Sequence, residues 1–205
     1  MTGKTGHEDL FPVRKPVRDS CFFIFERRDS MMTLRKTILG GFFIGLGIVL
    51  PMAFHLVNLG RVFLPMHIPV LMSGFFCGPI IGLIVGFITP LLSGLLTGMP
   101  PFMPPTAQGM MVELAAYGFL TGFFHHQLKL NNIVSLLGAM FLGRVVYGLF
   151  GALVFPLFGL KGISPIYPIT AGLITGLPGI ALQLIIIPTT LYFVERGLKT
   201  KRLES

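Results

Sequence analysis

The chain has 205 residues, of which 53% are hydrophobic and 12% charged, with a formal net charge of +8 and a mean hydropathy of +0.80. A soluble domain carries about 25% charged residues, whereas the stretch between residues 33 and 194 holds a single acid, Glu113. This composition excludes a water-soluble core of that length and predicts an all-α protein that crosses a membrane several times.

The N-terminal segment, residues 1–32, differs from the rest because it is polar and rich in charge. Its apolar patch, residues 21–25, is shorter than the ~7–15 residues of a signal-peptide core, so no cleaved leader is expected. We predict a disordered basic cytoplasmic tail, with Met31 and Met32 as alternative start sites. Residues 33–196 are assigned to a membrane domain and residues 197–205 to a basic cytoplasmic tail.

From residue 33 onward, apolar stretches alternate with short breaks rich in Pro, Asn and Gly. A spanning helix needs about 20 apolar residues, and the stretches predict a bundle of six transmembrane helices. They are residues 34–57, 64–77, 79–96, 107–126, 133–155 and 167–194. The second is short, so a tight turn is expected at Gly78-Pro79, with a single broken helix as the alternative. Pro178 and Pro188 predict a kink in the sixth.

The lysines and arginines predict the orientation of the bundle. With six helices, both termini lie on the same side of the membrane. That side then carries thirteen lysines and arginines, and the other side carries two, Arg61 and Lys161. Cytoplasmic flanks are enriched in Lys and Arg, so both termini are predicted to be cytoplasmic. The thirteen are Lys4, Arg14, Lys15, Arg18, Arg27, Arg28, Arg35, Lys36, Lys129, Arg196, Lys199, Lys201 and Arg202.

Glycines recur at a spacing of four residues in the apolar segments. In lipid, small residues at this spacing let helix backbones approach closely. We predict packing within the chain for most of them, with contact to a partner protein as the alternative. The sets are Gly41 and Gly45; Gly78, Gly82 and Gly86; and Gly172 and Gly176.

The sequence lacks the common motifs of enzymes. It contains no G-x-x-x-x-G-K-[ST], H-E-x-x-H, G-x-S-x-G or CxxC pattern. Glu113 and the His125-His126 pair are separated by about 18 Å of helix, so they cannot share a metal. We predict that the histidine pair caps the cytoplasmic end of that helix. No enzymatic activity, cofactor or metal is expected.

A sparse set of polar residues remains in the apolar segments, where ionisable groups are costly and are therefore functional candidates. Glu113 and Arg144 have opposite charge, and Tyr117 and Tyr147 each lie about one turn from one of them. We predict that these four contribute to a substrate-binding site, with a purely structural Glu113–Arg144 ion pair as the alternative. Four further candidates are His55, Asn58, His67 and Gln183.

Several short motifs occur in a fixed order. They are LPMHIPVL at 64–71, GP at 78–79, TPLLS at 89–93, LTGMP at 96–100, ELAAYG at 113–118 and GRVVYG at 143–148. As an ordered series they resemble the S components of energy-coupling factor (ECF) transporters, a family that includes the riboflavin, folate and pantothenate subunits. The resemblance covers roughly residues 33–195.

The resemblance implies a six-helix bundle in the cell membrane that captures a vitamin-like small molecule near its outer side. It also implies partners, namely a membrane scaffold subunit and two cytoplasmic ATPases, and no nucleic acid. In that family a small-residue pattern on the first helix docks the scaffold, and Gly41 and Gly45 have the equivalent spacing. Pantothenate, flavin, pyridoxine-like and folate-like ligands all suit the polar set, and Arg144 favours a carboxylate, hence pantothenate.

A function of a different class is the alternative. The chain could be a stand-alone carrier or channel, or a membrane scaffold, with no ATPase partner. Carriers often contain an internal repeat, and the two halves of this sequence show none. An intramembrane enzyme is disfavoured by the distance between Glu113 and the histidine pair.

Overall fold

The computed structural model describes residues 17–56, 64–98, 100–101, 106–154 and 167–203. Side chains are described for residues 34–54, 64–98, 100–101, 107–154, 177–194 and 196–197. Within these residues the fold is all-helical. The elements are α1 (Val17–Leu56), α2 (His67–Cys77), α3 (Pro79–Thr97), α4 (Thr106–Gly122) with a π-helical turn (Phe123–Gln127), α5 (Asn132–Val154) and α6 (Tyr167–Leu203).

The chain divides into two compact units, Met1–Arg35 and Lys36–Ser205. Helix α1 begins at Val17 and α6 extends to Leu203, so both run into segments that the sequence assigns to the tails. The boundaries of the tails and of the membrane domain stay predictions.

Each of the six predicted apolar segments coincides with one helix, which confirms an all-helical, multi-pass membrane protein. Four described stretches are long and apolar enough to span a bilayer, namely Leu34–Phe54, Pro79–Thr97, Asn132–Val154 and Leu177–Val194. Helix α2 has only 11 residues, and α4 has 17 before its π-helical turn. The count of six spans and the side on which the termini lie stay predictions.

Helices α2 and α3 are joined by a single residue, Gly78. Its φ of 95° lies in a region that favours glycine, and its N–H donates to the carbonyl oxygen of Gly74 at 3.1 Å. Beyond the turn the two helices run back alongside each other, because Pro69 and Thr89 both lie against Gly47 of α1. The predicted tight turn is therefore present, and the alternative of one broken helix is wrong.

Helices α3 and α4 pack backbone against backbone. A Cβ atom on Gly82 would overlap the carbonyl group of Gly118, and one on Gly86 would overlap the carbonyl group of Leu114. A Cβ on Gly122 would meet the backbone of Pro79 in the same way. The prediction that this glycine ladder packs within the chain is confirmed. The packing around Gly172 and Gly176 lies outside what the structure describes.

The end of the bundle that contains the α2–α3 turn also holds the histidine pair. The Nε2 atom of His126 lies 2.8 Å from the carbonyl oxygen of Phe75, and the ring of His125 lies edge-on to the ring of Phe75. The pair lies in the π-helical turn that follows α4, and His126 contacts the last turn of α2 rather than a carbonyl group of its own helix. That this end of the helix is cytoplasmic stays a prediction.

Candidate functional site

Polar side chains from four helices converge inside the bundle. Helix α2 contributes His67 and α4 contributes Glu113 and Tyr117, while Arg144 comes from α5 and Gln183 from α6. All five are among the residues predicted from sequence to bind substrate. Because α2, α4, α5 and α6 pack against one another in the bundle, His67 and Gln183 lie around one space although more than a hundred positions separate them.

An ion pair connects α4 to α5. The Nη1 atom of Arg144 lies 3.0 Å from Oε1 of Glu113, and the two side chains are 11% and 5% exposed. The hydroxyl group of Tyr117 donates a hydrogen bond of 2.9 Å to the same carboxylate oxygen. A buried charge pair is stable only when its hydrogen-bonding capacity is met, and the tyrosine meets part of it here.

Tyr117 is held between two neighbours. Its ring lies 5.4 Å from the ring of His67, at a tilt of 55°. On the opposite helix a Cβ atom at Gly143 would overlap the Tyr117 ring. Gly143 therefore provides the space that lets this ring lie against α5 while its hydroxyl group reaches Glu113.

A cavity of about 190 Å³ lies beside these residues. His67, Tyr117, Arg144 and Gln183 form its polar wall. The remaining wall is apolar and consists of Leu64, Leu137, Met140, Phe141, Val145 and Ile180. Such a site, mostly apolar with a few polar groups, is typical of small-molecule binding.

Two cavity residues have polar atoms that no described residue satisfies. His67 is 3% exposed, and neither of its ring nitrogens makes a well-formed hydrogen bond, although the ring interacts with the backbone of Leu64. Gln183 is 1% exposed, and its Nε2 has no hydrogen-bond partner. Most buried polar side-chain atoms in native proteins are hydrogen-bonded, so each exception calls for an explanation. A ligand in the adjoining cavity that forms hydrogen bonds with these atoms would be a direct explanation.

The backbone leading into α2 is unusual next to the cavity. Leu64 has a φ of 46°, in the left-handed region that a leucine seldom adopts, and its carbonyl oxygen accepts the N–H of His67 at 3.1 Å. Strained backbone of this kind concentrates at functional sites. Leu64 itself lines the cavity.

Two of the predicted site residues do not line the cavity themselves. Glu113 lies behind its polar wall, in contact with the lining residues Arg144 and Tyr117. The half-buried Tyr147 has its ring against Gly109, and it does not line the cavity either. The side chain of His55 and the whole of Asn58 lie outside the described residues.

The predicted docking glycines differ from the packing glycines. A Cβ atom on Gly41 or Gly45 would meet nothing within 4 Å, and both positions are exposed on α1. In the same helix, Gly40 and Gly47 face Ile81 and Thr89 of α3. The face of α1 that carries Gly41 and Gly45 is therefore open within the described part of the chain.

Sequence reasoning missed the apolar wall of the cavity. On α5 the lining residues fall at the spacing of one helical face, and Arg144 belongs to that face. Extending the face from Arg144 would have identified them. They are Leu137, Met140, Phe141 and Val145.

No group of three or more His, Cys, Asp or Glu side chains in the described residues could hold a metal ion. The described helices define a multi-pass membrane protein, and its bundle contains a cavity of the kind that binds small molecules.

Comparison with protein families gives the family. The model described as ECF transporter, substrate-specific component, matches residues 35–192, so the chain belongs to that family. Its members are substrate-binding subunits of transporters rather than enzymes, and they partner with ECF scaffold and ATPase subunits. No curated protein matches the chain, and no solved structure does.

Proposed function

We propose that this chain captures a vitamin-like small molecule from outside the cell and delivers it to an ATP-driven ECF importer. One observation carries the proposal: a member of this family contains a cavity whose buried His67 and Gln183 have unused hydrogen-bonding atoms. The cavity is where the molecule binds, and the chain itself supplies no nucleotide-binding motif.

We propose that the protein resides in the plasma membrane and crosses it six times, with both termini in the cytoplasm. The distribution of thirteen bases against two supports this orientation. The α2–α3 turn and the end of α4 lie together at one end of the bundle, as they should if the chain changes direction at each helix. In the proposed orientation that end faces the cytoplasm.

The partners are an ECF scaffold subunit and two ATPases. Gly41 and Gly45 support a docking face on α1, because both are exposed and nothing within the described residues covers them. Glycines at this spacing allow another helix to approach the backbone.

Co-purification and uptake test the proposal together. The full chain, expressed with ECF scaffold and ATPase subunits, should purify as a complex, and uptake should stop when the ATPases carry a P-loop lysine substitution. Expression without these subunits should give binding but no sustained uptake. Uptake at the full rate by the chain alone would instead identify a stand-alone carrier.

A further inference from the structure

The Arg144 guanidinium lines the cavity and is positively charged, but the carboxylate of Glu113 already balances this charge. Glu113 lies 3.0 Å away and is itself buried, so the two groups together have no net charge. A ligand carboxylate near Arg144 would be attracted by the guanidinium and repelled by the neighbouring carboxylate. It would also lose its water in a cavity with a mostly apolar wall, at a large cost.

The unused polar atoms have a definite chemistry. Gln183 Nε2 is a donor, and a neutral imidazole such as that of His67 offers one donor and one acceptor. Arg144 uses Nη1 in its ion pair, and a guanidinium has five N–H donors in all. The cavity therefore offers more donors than acceptors, and it matches neutral acceptors such as a carbonyl oxygen or a ring nitrogen.

The part of the cavity that the described residues line has the size of a single ring. Its 190 Å³ exceeds only slightly the roughly 150 Å³ of a protein cavity that takes up benzene. Sites for drug-sized ligands measure about 300–1,000 Å³. The rings of Tyr117 and Phe141 and the thioether of Met140 line the space, and such groups favour contact with a flat ring.

We infer that the ligand is an uncharged single-ring compound bearing hydrogen-bond acceptors, such as a substituted nitrogen heterocycle, and not a carboxylate. The inference rests on the proposed function, because it takes this cavity as the substrate site. It reverses the preference for pantothenate that Arg144 alone gives. Glu113 is in this view a specificity-determining residue that acts through Arg144.

Matched pairs of probes that differ mainly in charge test the inference. Nicotinamide with nicotinate, and uracil with orotate, each set a neutral ring beside its carboxylate counterpart, and riboflavin provides a larger, fused-ring probe. Binding to the purified full chain is measured by calorimetry and by thermal stabilisation. We expect a neutral member to bind about tenfold or more tightly than its carboxylate partner, and riboflavin not to bind.

A charge variant sharpens the test. Glu113→Gln keeps the size of the side chain but leaves Arg144 unbalanced, so it should shift the preference about tenfold or more toward the carboxylate member. Lys129→Asn is the control, because it also removes one charge, at an exposed position whose φ of 51° asparagine tolerates. It should leave the preference unchanged. The probe comparison on the unmodified chain does not depend on either variant folding.

Three results would overturn the inference: tighter binding of a carboxylate member by the unmodified chain, binding of riboflavin, or no binding of any neutral ring. A Glu113→Gln variant that folds and keeps the original preference would remove the role assigned to Glu113. The proposed function is tested independently of the inference. Its tests are co-purification with scaffold and ATPase subunits and ATP-dependent uptake, and neither depends on which probe binds.

Discussion

Removing one partner of the Glu113–Arg144 pair should destabilise the chain far more than removing both. At the observed 3.0 Å, two unit charges attract by about 5–6 kcal/mol with an effective dielectric constant of about 20. Desolvation offsets much of that attraction, so the intact pair contributes little relative to apolar residues. Breaking a buried pair costs about 3–5 kcal/mol, because one charge stays buried without its partner.

The prediction takes the form of a double-mutant cycle with Glu113→Gln, Arg144→Met and the double variant. Each single change should lower the free energy of unfolding by up to about 3–5 kcal/mol, and the double variant should recover most of that loss. Thermal unfolding in detergent can be followed with a thiol-reactive dye, because Cys77 is free and buried. Replacing Cys21 with serine removes the second thiol from the signal.

Two results would refute this reasoning. Additive effects, with a coupling energy below about 0.5 kcal/mol, would mean that the charges do not depend on each other. A double variant with normal stability and normal ligand affinity would leave the pair a structural feature only, with no part in binding. The expected result is a folded double variant that has lost affinity, because Arg144 lines the cavity.

Three further predictions follow from the helix packing, the cavity and the charge distribution. Gly86→Leu should destabilise the chain by about 1–3 kcal/mol or more, since any side chain there meets the α4 backbone. Gly45→Leu should leave the isolated chain stable and able to bind ligand, but it should block co-purification of the scaffold. Thermal unfolding and pull-down distinguish the two variants, and loss of ligand binding by Gly45→Leu with normal assembly would contradict the docking role. Gln183→Leu should weaken ligand binding about tenfold in calorimetry with little change in unfolding temperature, because it removes a buried amide whose Nε2 has no partner within the described residues; unchanged affinity would place the ligand elsewhere. Cysteines placed at Arg61 and Lys161, in a background without native cysteines, should react with an impermeant reagent in intact cells, and labelling only after lysis would reject the orientation.

Much of the fold was predictable because a membrane helix must be apolar along its whole length. The breaks at Gly and Pro separate the segments, and each coincides with a helix end to within a few residues, apart from the two ends in the tails. The tight turn at Gly78 was predictable for the same reason, since the apolar segment 64–77 is too short to cross a bilayer upright. The glycine spacing also predicted close packing on α3, although it did not identify Gly118 as the partner of Gly82.

The candidate site was predictable only in its polar part. Ionisable groups in lipid are costly, so His67, Glu113 and Arg144 stand out in the sequence. An apolar residue that faces a cavity has the same chemistry as one that faces lipid, and Phe141 and Ile180 could therefore not be recognised from composition. Whether Glu113 enters the cavity or stands behind Arg144 depends on how α4 and α5 pack, which the sequence of either helix does not determine.

The shortness of α2 determines how far a ligand must travel from water. His67 begins this helix, eleven residues before Gly78, which corresponds to a rise of about 16 Å along the helix. The hydrocarbon core is about 30 Å thick, so a turn at one membrane face places His67 near half depth. A molecule that binds beside His67 at this depth exchanges much of its hydration shell for a wall that is mostly apolar. The cost of dehydration therefore disfavours solutes that hold water strongly, in addition to any discrimination by hydrogen bonds in the site.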